Sequence, residues 1–142
     1  MKRALVDRWA ERYERELDLG RGKCELRDPR VAAMIVGALH YFDPARYHLY
    51  CWCVMPNHVH VVFQLHLGRN LDRVLHSWKS WTSNEANRIL GRKGKLWQDE
   101  YFDRIVRDQE EFQHVAAYVL GNPADAGLKD WPYVGFNPER CR

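Results

Sequence analysis

Residues 46–65 read RYHLYCWCVMPNHVHVVFQL, and the way this stretch pairs with itself decides the fold. Arg46 to Val54 is rich in aromatic and β-branched side chains, as strands are. Met55-Pro56-Asn57 supplies a turn, and His58 to Leu65 reads as a second strand, so the stretch predicts an antiparallel hairpin. Its interior is apolar enough to lie centrally in a sheet. Alternate residues of a strand share a face, so His58 and His60 project together while Val59, Val61 and Phe63 point to a core. Two imidazoles side by side on a rigid strand can bind one divalent ion, although the same spacing also suits a polar sheet face. Imidazoles alone suit zinc, copper or iron better than magnesium, so the pair leaves the ion open.

Working outward, residues 1–18 have helical composition, with a thin apolar stripe of Leu5, Trp9, Tyr13 and Leu17 that Gly20 and Gly22 interrupt. Asp28 is an N-cap, Pro29 fits the first helical position, and Val31, Met34, Ile35, Ala38, Leu39 and Phe42 recur at helical spacing until Asp43-Pro44. Asn70 caps a long helix from Leu71 to about Leu90, closed by the glycines of Gly91-Arg92-Lys93-Gly94-Lys95. Leu96 to Val106 alternates as a third strand. Asp108 and Glu111 form a capping-box variant for a last helix, which Pro123 is expected to end near Gly121. Residues 131–142 read as irregular. Strands with inserted helices predict an α+β fold, an antiparallel central sheet with helices packed on it. The chain divides into a charged, partly helical extension (1–27), a domain (28–135) and an irregular tail (136–142).

At 142 residues the chain suits one domain with a real core, and its 46% apolar and 29% charged shares are those of a soluble globular protein. No run of eighteen apolar residues exists, which predicts no membrane span. The first residues, MKRALVDRWAERYERELDLGRGK, lack an apolar signal core, so a cytoplasmic location is expected. Of the four cysteines, Cys24, Cys51, Cys53 and Cys141, the middle two share a strand face, but their spacing is not that of zinc knuckles. They read as reduced thiols. The net charge of +3 is mild, but its distribution is uneven. Between Gly68 and Trp97 seven basic residues face two acidic ones, with Trp78, Trp81 and Trp97 interleaved. That excess suits a polyanion partner, or a solvated helix face.

Tyr118 and Asn122 lie four apart, one turn above each other on the last helix, with Val115 and Val119 turned to the core. A core-edge tyrosine followed by a capping asparagine would give the same pattern. Phenols ionise near pH 10 (about), so a tyrosine becomes a nucleophile only with help. A metal polarising a target phosphate could supply it, and Asn122 could offer an amide oxygen as a third ligand.

Three runs, VMPNHVHVVF (54–63), SWKSWTSNEANRILGRKGKLWQDEYFDRIVRD (77–108) and YVLGNPADAGL (118–128), together resemble the single-tyrosine HUH transposases. Among these, the REP-associated tyrosine transposases are most similar, over about residues 28–135. The resemblance implies a ferredoxin-like HUH endonuclease fold. It implies His58 and His60 as metal ligands, Tyr118 as nucleophile, Asn122 as a polar ligand, and Mg²⁺ or Mn²⁺ as the ion. The implied chemistry is cleavage of single-stranded or hairpin DNA through a 5′-phosphotyrosine with a free 3′-OH, a reversible transesterification needing no ATP. It also implies a DNA border of Trp78, Lys79, Trp81, Arg88, Arg92, Lys93 and Lys95, with Arg104 and Arg107 on the third strand, basic groups holding phosphates and exposed indoles stacking on bases. A monomer is expected over a homodimer, and neither a membrane nor a small-molecule substrate.

One departure stands out. Family members usually open with a strand of the kind YHVTFR, whereas residues 1–27 here are charged and helix-like, so either the start lies downstream of the true one and the sheet lacks that strand, or the N-terminal region substitutes for it in another way. Such a loss would favour a second reading, a nucleic-acid-binding derivative that no longer cuts. The retained His58, His60, Tyr118 and Asn122 favour the nuclease. A zinc hydrolase would need further ligands, and the sequence offers no HExxH.

Overall fold

The computed structural model describes residues 12–19, 23–98 and 102–138, with the side chains of 102–104 outside the description. The hairpin forms as the pattern requires. Strand β2 (Tyr47–Val54) pairs antiparallel with β3 (His58–Leu65), and the Met55 amide closes the turn on the His58 carbonyl at 2.7 Å. The register shifts between Leu49 and Cys51, a bulge at Tyr50 that places both Tyr50 and Cys51 in the smaller of the two cores.

The three helices begin and end on local chemistry. Helix α1 (Pro29–Tyr41) starts at Asp28, whose side chain accepts from the Arg30 amide at 2.9 Å. Helix α2 (Leu71–Leu90) starts at Asn70, which accepts from the Arg73 amide, and closes on Gly91 in the left-handed region at φ 63°. Helix α3 (Gln109–Asp125) has the capping box: Asp108 accepts from the Glu111 amide, and the Glu111 carboxylate accepts from the Arg107 amide.

The first-strand expectation is corrected. Arg12–Asp18 is not helical but a strand, β1, and it fills the slot the sheet was expected to lack. The apolar stripe at 5, 9, 13 and 17 is four residues apart, which satisfies a period of two as well as a helical turn. Tyr13 and Leu17 therefore face the main core, and Arg12, Glu14, Glu16 and Asp18 face the other way. Pairing along the full length of β3 overrides the helix-forming composition. Residues 1–11 lie outside the described residues.

Strand β4 (Phe102–Ile105) pairs with the other edge of β1. It is shorter than the predicted 96–106; Leu96 and Trp97 are buried in the main core without strand pairing. Two further corrections concern the C-terminal part. Helix α3 runs through Pro123 to Asp125, because the turn beyond the proline is held by Ala126 and Leu128 amides on the Asn122 and Pro123 carbonyls. The tail is not wholly irregular either. Val134–Phe136 is an edge strand, β5, paired with β2, and Gly135 lies so close to Trp52 that a Cβ there would come within 2.5 Å of the indole.

Among the described residues the sheet order is β4-β1-β3-β2-β5, each neighbour antiparallel. This is the split β-α-β order of ferredoxin-like folds, with one strand added. Helices α1 and α2 cover one face through Val31, Ile35, Leu39, Leu75 and Trp78 against Leu49, Val61 and Phe63. Helix α3 covers part of the other through Phe112, Val115 and Val119 against Cys51, Cys53 and Val62. Cys51 and Cys53 are buried thiols outside any disulfide, Cys24 is an exposed one, and Cys141 lies outside the described residues. No helix among those residues is long and apolar enough to cross a membrane.

Candidate active site

The period of two sends the even residues of β3 toward α3. His60 is 3% exposed, and His58 is half-buried at the strand's start. Their rings stand 5.2 Å apart at 84°. Because α3 crosses β2 and β3, its outward turn brings Tyr118 over His60, ring to ring at 5.5 Å, while Asn122 reaches Nδ1 of the same ring with Nδ2 at 3.3 Å. Tyr118 itself is 56% exposed. The four candidate residues thus converge within one chain, on one face of the sheet.

Two neighbours complete the surroundings. Asn57 Oδ1 stands 2.7 Å from His58 Nδ1, which leaves Nε2 as the free edge of that ring. Glu16, on β1, places Oε2 3.4 Å from His60 Nε2. Burial pushes the His60 imidazole below its ordinary value, opposed by the Glu16 carboxylate, and the nearby His58 adds to the lowering. Neutral imidazole is the form that ligates a metal.

A divalent ion fits this donor set in part from histidine and in part from amide. Among the described residues no group of three His, Cys, Asp or Glu side chains converges as a cage. The donors on offer are two imidazoles and one carboxamide, leaving open positions for phosphate oxygens and water. An incomplete protein shell of that kind suits an ion that works on phosphates.

The candidate DNA residues divide in space. Lys79 donates to the Gln98 carbonyl, and the Gln98 amide bonds the Asp18 carbonyl beside His58, so Lys79 borders the histidine end of the sheet. Arg92 is ion-paired with Glu25 at 2.8 Å and donates to the Lys95 carbonyl; the turn holding Glu25 abuts Pro56 through the Leu26 amide. Lys93 and Lys95 are exposed in that same loop. Arg88 is exposed and paired with Glu85. Arg107 lies at the opposite end, next to Arg12, about 20 Å away at strand rise along β1. The side chain of Arg104 lies outside the described residues. Of the tryptophans, Trp78 and Trp97 are core residues and Trp81 is exposed.

Glu16 was missed from sequence because its relation to His60 exists only as strand register. The sole available signal was the charge alternation of β1 itself.

Known proteins resemble this chain in both sequence and fold. The family model described as IS200-like transposase matches residues 38–122, a span that contains His58, His60, Tyr118 and Asn122. A curated relative from Haemophilus influenzae, named for the REP-associated tyrosine transposases, is 27% identical over 101 residues, 60% of this chain and 56% of that protein. The chain therefore spans a little over half of that relative's length. A solved REP-associated tyrosine transposase bound to a REP hairpin superposes with a TM-score of 0.70 at 19% identity, over 94% of this chain and 81% of its own. A transposase structure from Deinococcus radiodurans gives 0.55 at 13% identity, over 82% and 89%. At these identities the two structures establish a common fold, and with the family model covering more than half its length, the chain belongs to the IS200-like transposases.

Proposed function

We propose that this chain is a metal-dependent, tyrosine-nucleophile endonuclease and strand transferase for single-stranded DNA beside a hairpin or palindromic repeat. The observation that carries the reading is Tyr118 standing over the buried His60 while Asn122 touches that ring. The tyrosine is exposed enough to meet a polymer, yet it is held beside the most buried imidazole of the site.

Tyr118 Oη gives up its proton and attacks the scissile phosphorus. The bond from phosphorus to the 3′ oxygen breaks, leaving a 3′-OH and a 5′-phosphotyrosine. Attack by a 3′-OH reverses the step, restoring the phenol and joining strands, so the bond energy is conserved in the covalent link. His58, His60 and Asn122 would hold the ion, Mg²⁺ or Mn²⁺. When bound, it supplies polarisation of the phosphate and stabilises the charge that develops there. Helix α3 fixes the nucleophile through Val115 and Val119, whose burial under the sheet sets the height of Tyr118 above His60. Lys79 and the Arg92–Lys95 loop hold phosphates at the histidine end of the sheet. Arg88 extends that surface, whereas Arg107 belongs to a more distant DNA path.

A derivative that binds without cutting would be favoured by a missing first strand. Strand β1 occupies that slot. Since Tyr118 meets the His60 of its own chain, one chain suffices for a site, and we favour a monomer.

With Mn²⁺ or Mg²⁺ and a hairpin oligonucleotide with single-stranded flanks, the protein should form a denaturant-resistant adduct. Tyr118→Phe should form none while still binding the DNA. An adduct that survives Tyr118→Phe overturns the nucleophile; equal binding of hairpin and plain duplex overturns the substrate class. Mixing Tyr118→Phe with His60→Ala should restore nothing, and a restored adduct would instead place the tyrosine in a partner's site.

A further inference from the structure

His60 is held from both edges of its ring, by different chemistry on each. Nε2 faces the Glu16 carboxylate at 3.4 Å, and Nδ1 faces the Asn122 amide at 3.3 Å. With the residue 3% exposed, water has little room to replace either partner. A neutral imidazole carries one N–H and one lone pair. A carboxylate accepts only, so a lone pair on Nε2 would confront negative oxygen, whereas an N–H there points at an acceptor.

The position of Glu16 is fixed by pairing. Strands β1 and β3 match Glu16 with His60 and Asp18 with His58, so the carboxylate stands beside the ring as a cross-strand neighbour on the same face. Its contact is with the ring nitrogen itself, and among the described residues no three His, Cys, Asp or Glu side chains gather as a ligand group.

We propose that Glu16 is a positioning residue that holds His60 as the Nε2–H tautomer, so that Nδ1 is the nitrogen His60 offers to a divalent ion. The lone pair then lies on the α3 side, with Asn122 and Tyr118. The Asn122 amide, which donates to Nδ1 in the metal-free site, presents its oxygen to the same ion after a half-turn. His58 is the reverse case. Asn57 takes its Nδ1–H and leaves Nε2 free, so the pair ligates through opposite ring nitrogens. A carboxylate that orients a ligating histidine in this way tunes affinity from outside the ligand set. The inference rests on His60 being a ligand, as proposed above.

Long-range ¹H–¹⁵N correlation on the metal-free protein reads the tautomer directly, and titration with Mn²⁺ by electron paramagnetic resonance reads affinity. In the wild type His60 should carry its proton on Nε2. Glu16→Gln, which retains an acceptor oxygen, should preserve the tautomer and bind Mn²⁺ within a few-fold of wild type. Glu16→Ala should shift His60 toward the other tautomer and weaken Mn²⁺ by roughly 10- to 100-fold, the usual effect of losing such a partner. A proton on Nδ1 in the wild type overturns the proposal even if the alanine variant does not fold. So does a folded Glu16→Ala with unchanged tautomer or unchanged affinity. His60→Ala separates the two readings. If it leaves Mn²⁺ binding intact, His60 is not a ligand, while the tautomer measurement still judges Glu16.

Discussion

The two faces of the sheet are made by the same strands, one residue out of phase, and they do opposite work. Under α1 and α2 the packing is nearly continuous and apolar, centred on Tyr47, Phe63 and Trp78 in edge-to-face contact. Even its polar atoms are closed off: Trp78 donates to the Tyr47 hydroxyl, which donates to the Leu39 carbonyl. Burial pushes that phenol up to about 12. Under α3 the apolar packing stops short, and beyond it the same face carries His58 and the buried His60, with Tyr118 of the helix set against His60. Strand β3 shows the division at single-residue resolution, with Val59, Val61 and Phe63 on one face and His58 and His60 on the other. On the second face Val62 still packs under α3, so the candidate site is confined to the His58–His60 end of the strand.

The largest break in that comparison should come from Phe63→Ala, which removes a fully buried ring from the main core. A loss of about 3–5 kcal/mol in urea unfolding is expected, against less than about 0.5 kcal/mol for Tyr118→Phe at the surface. Comparable losses from the two would mean that the faces are not energetically distinct.

A smaller effect should distinguish the faces by pH. The folded state holds His60 below its ordinary 6.5, so the unfolded chain binds more protons as the pH falls through that value. The stability this contributes is present above 6.5 and is lost toward acid. In metal-free buffer, the advantage of wild type over His60→Gln should shrink between pH 7.5 and 5.5. An advantage that grows on acidification would mean that Glu16 outweighs burial.

The smallest test is chemical. Cys51 and Cys53 lie under α3, and burial alone pushes the Cys53 thiol up to about 12. At pH 8 a disulfide reagent should label Cys24 promptly and these two only as fast as the protein opens. Prompt labelling of Cys53 would show that the α3 face is looser than its packing indicates.

What was legible in the sequence was local. The hairpin, the caps at Asp28, Asn70 and Asp108, and the Gly91 stop all follow from chemistry within a few residues, and all stand where expected. The pairing of Tyr118 with Asn122 on one helical turn was equally readable, since spacing fixes it. Strand β1 was not, because its apolar spacing fits both periods and only its partners decide between them. Helix α3 outran its proline because the amides beyond it found carbonyls within the last turn. Strand β5 was too short to carry a pattern. Glu16 needed the register of two strands more than forty residues apart, which no motif records.

The central place of β1 bears on when the proposed site can form. The earliest described strand lies between β3 and β4, and its Glu16 meets a histidine that in turn meets side chains from α3. During synthesis the hairpin can close soon after it emerges, yet the tyrosine is made some sixty residues later. A nascent chain or an early-terminated fragment holds the imidazoles without Tyr118, the proposed nucleophile. The order of residues along the polypeptide thus delays assembly of the proposed site until α3 has been made and has packed on the sheet.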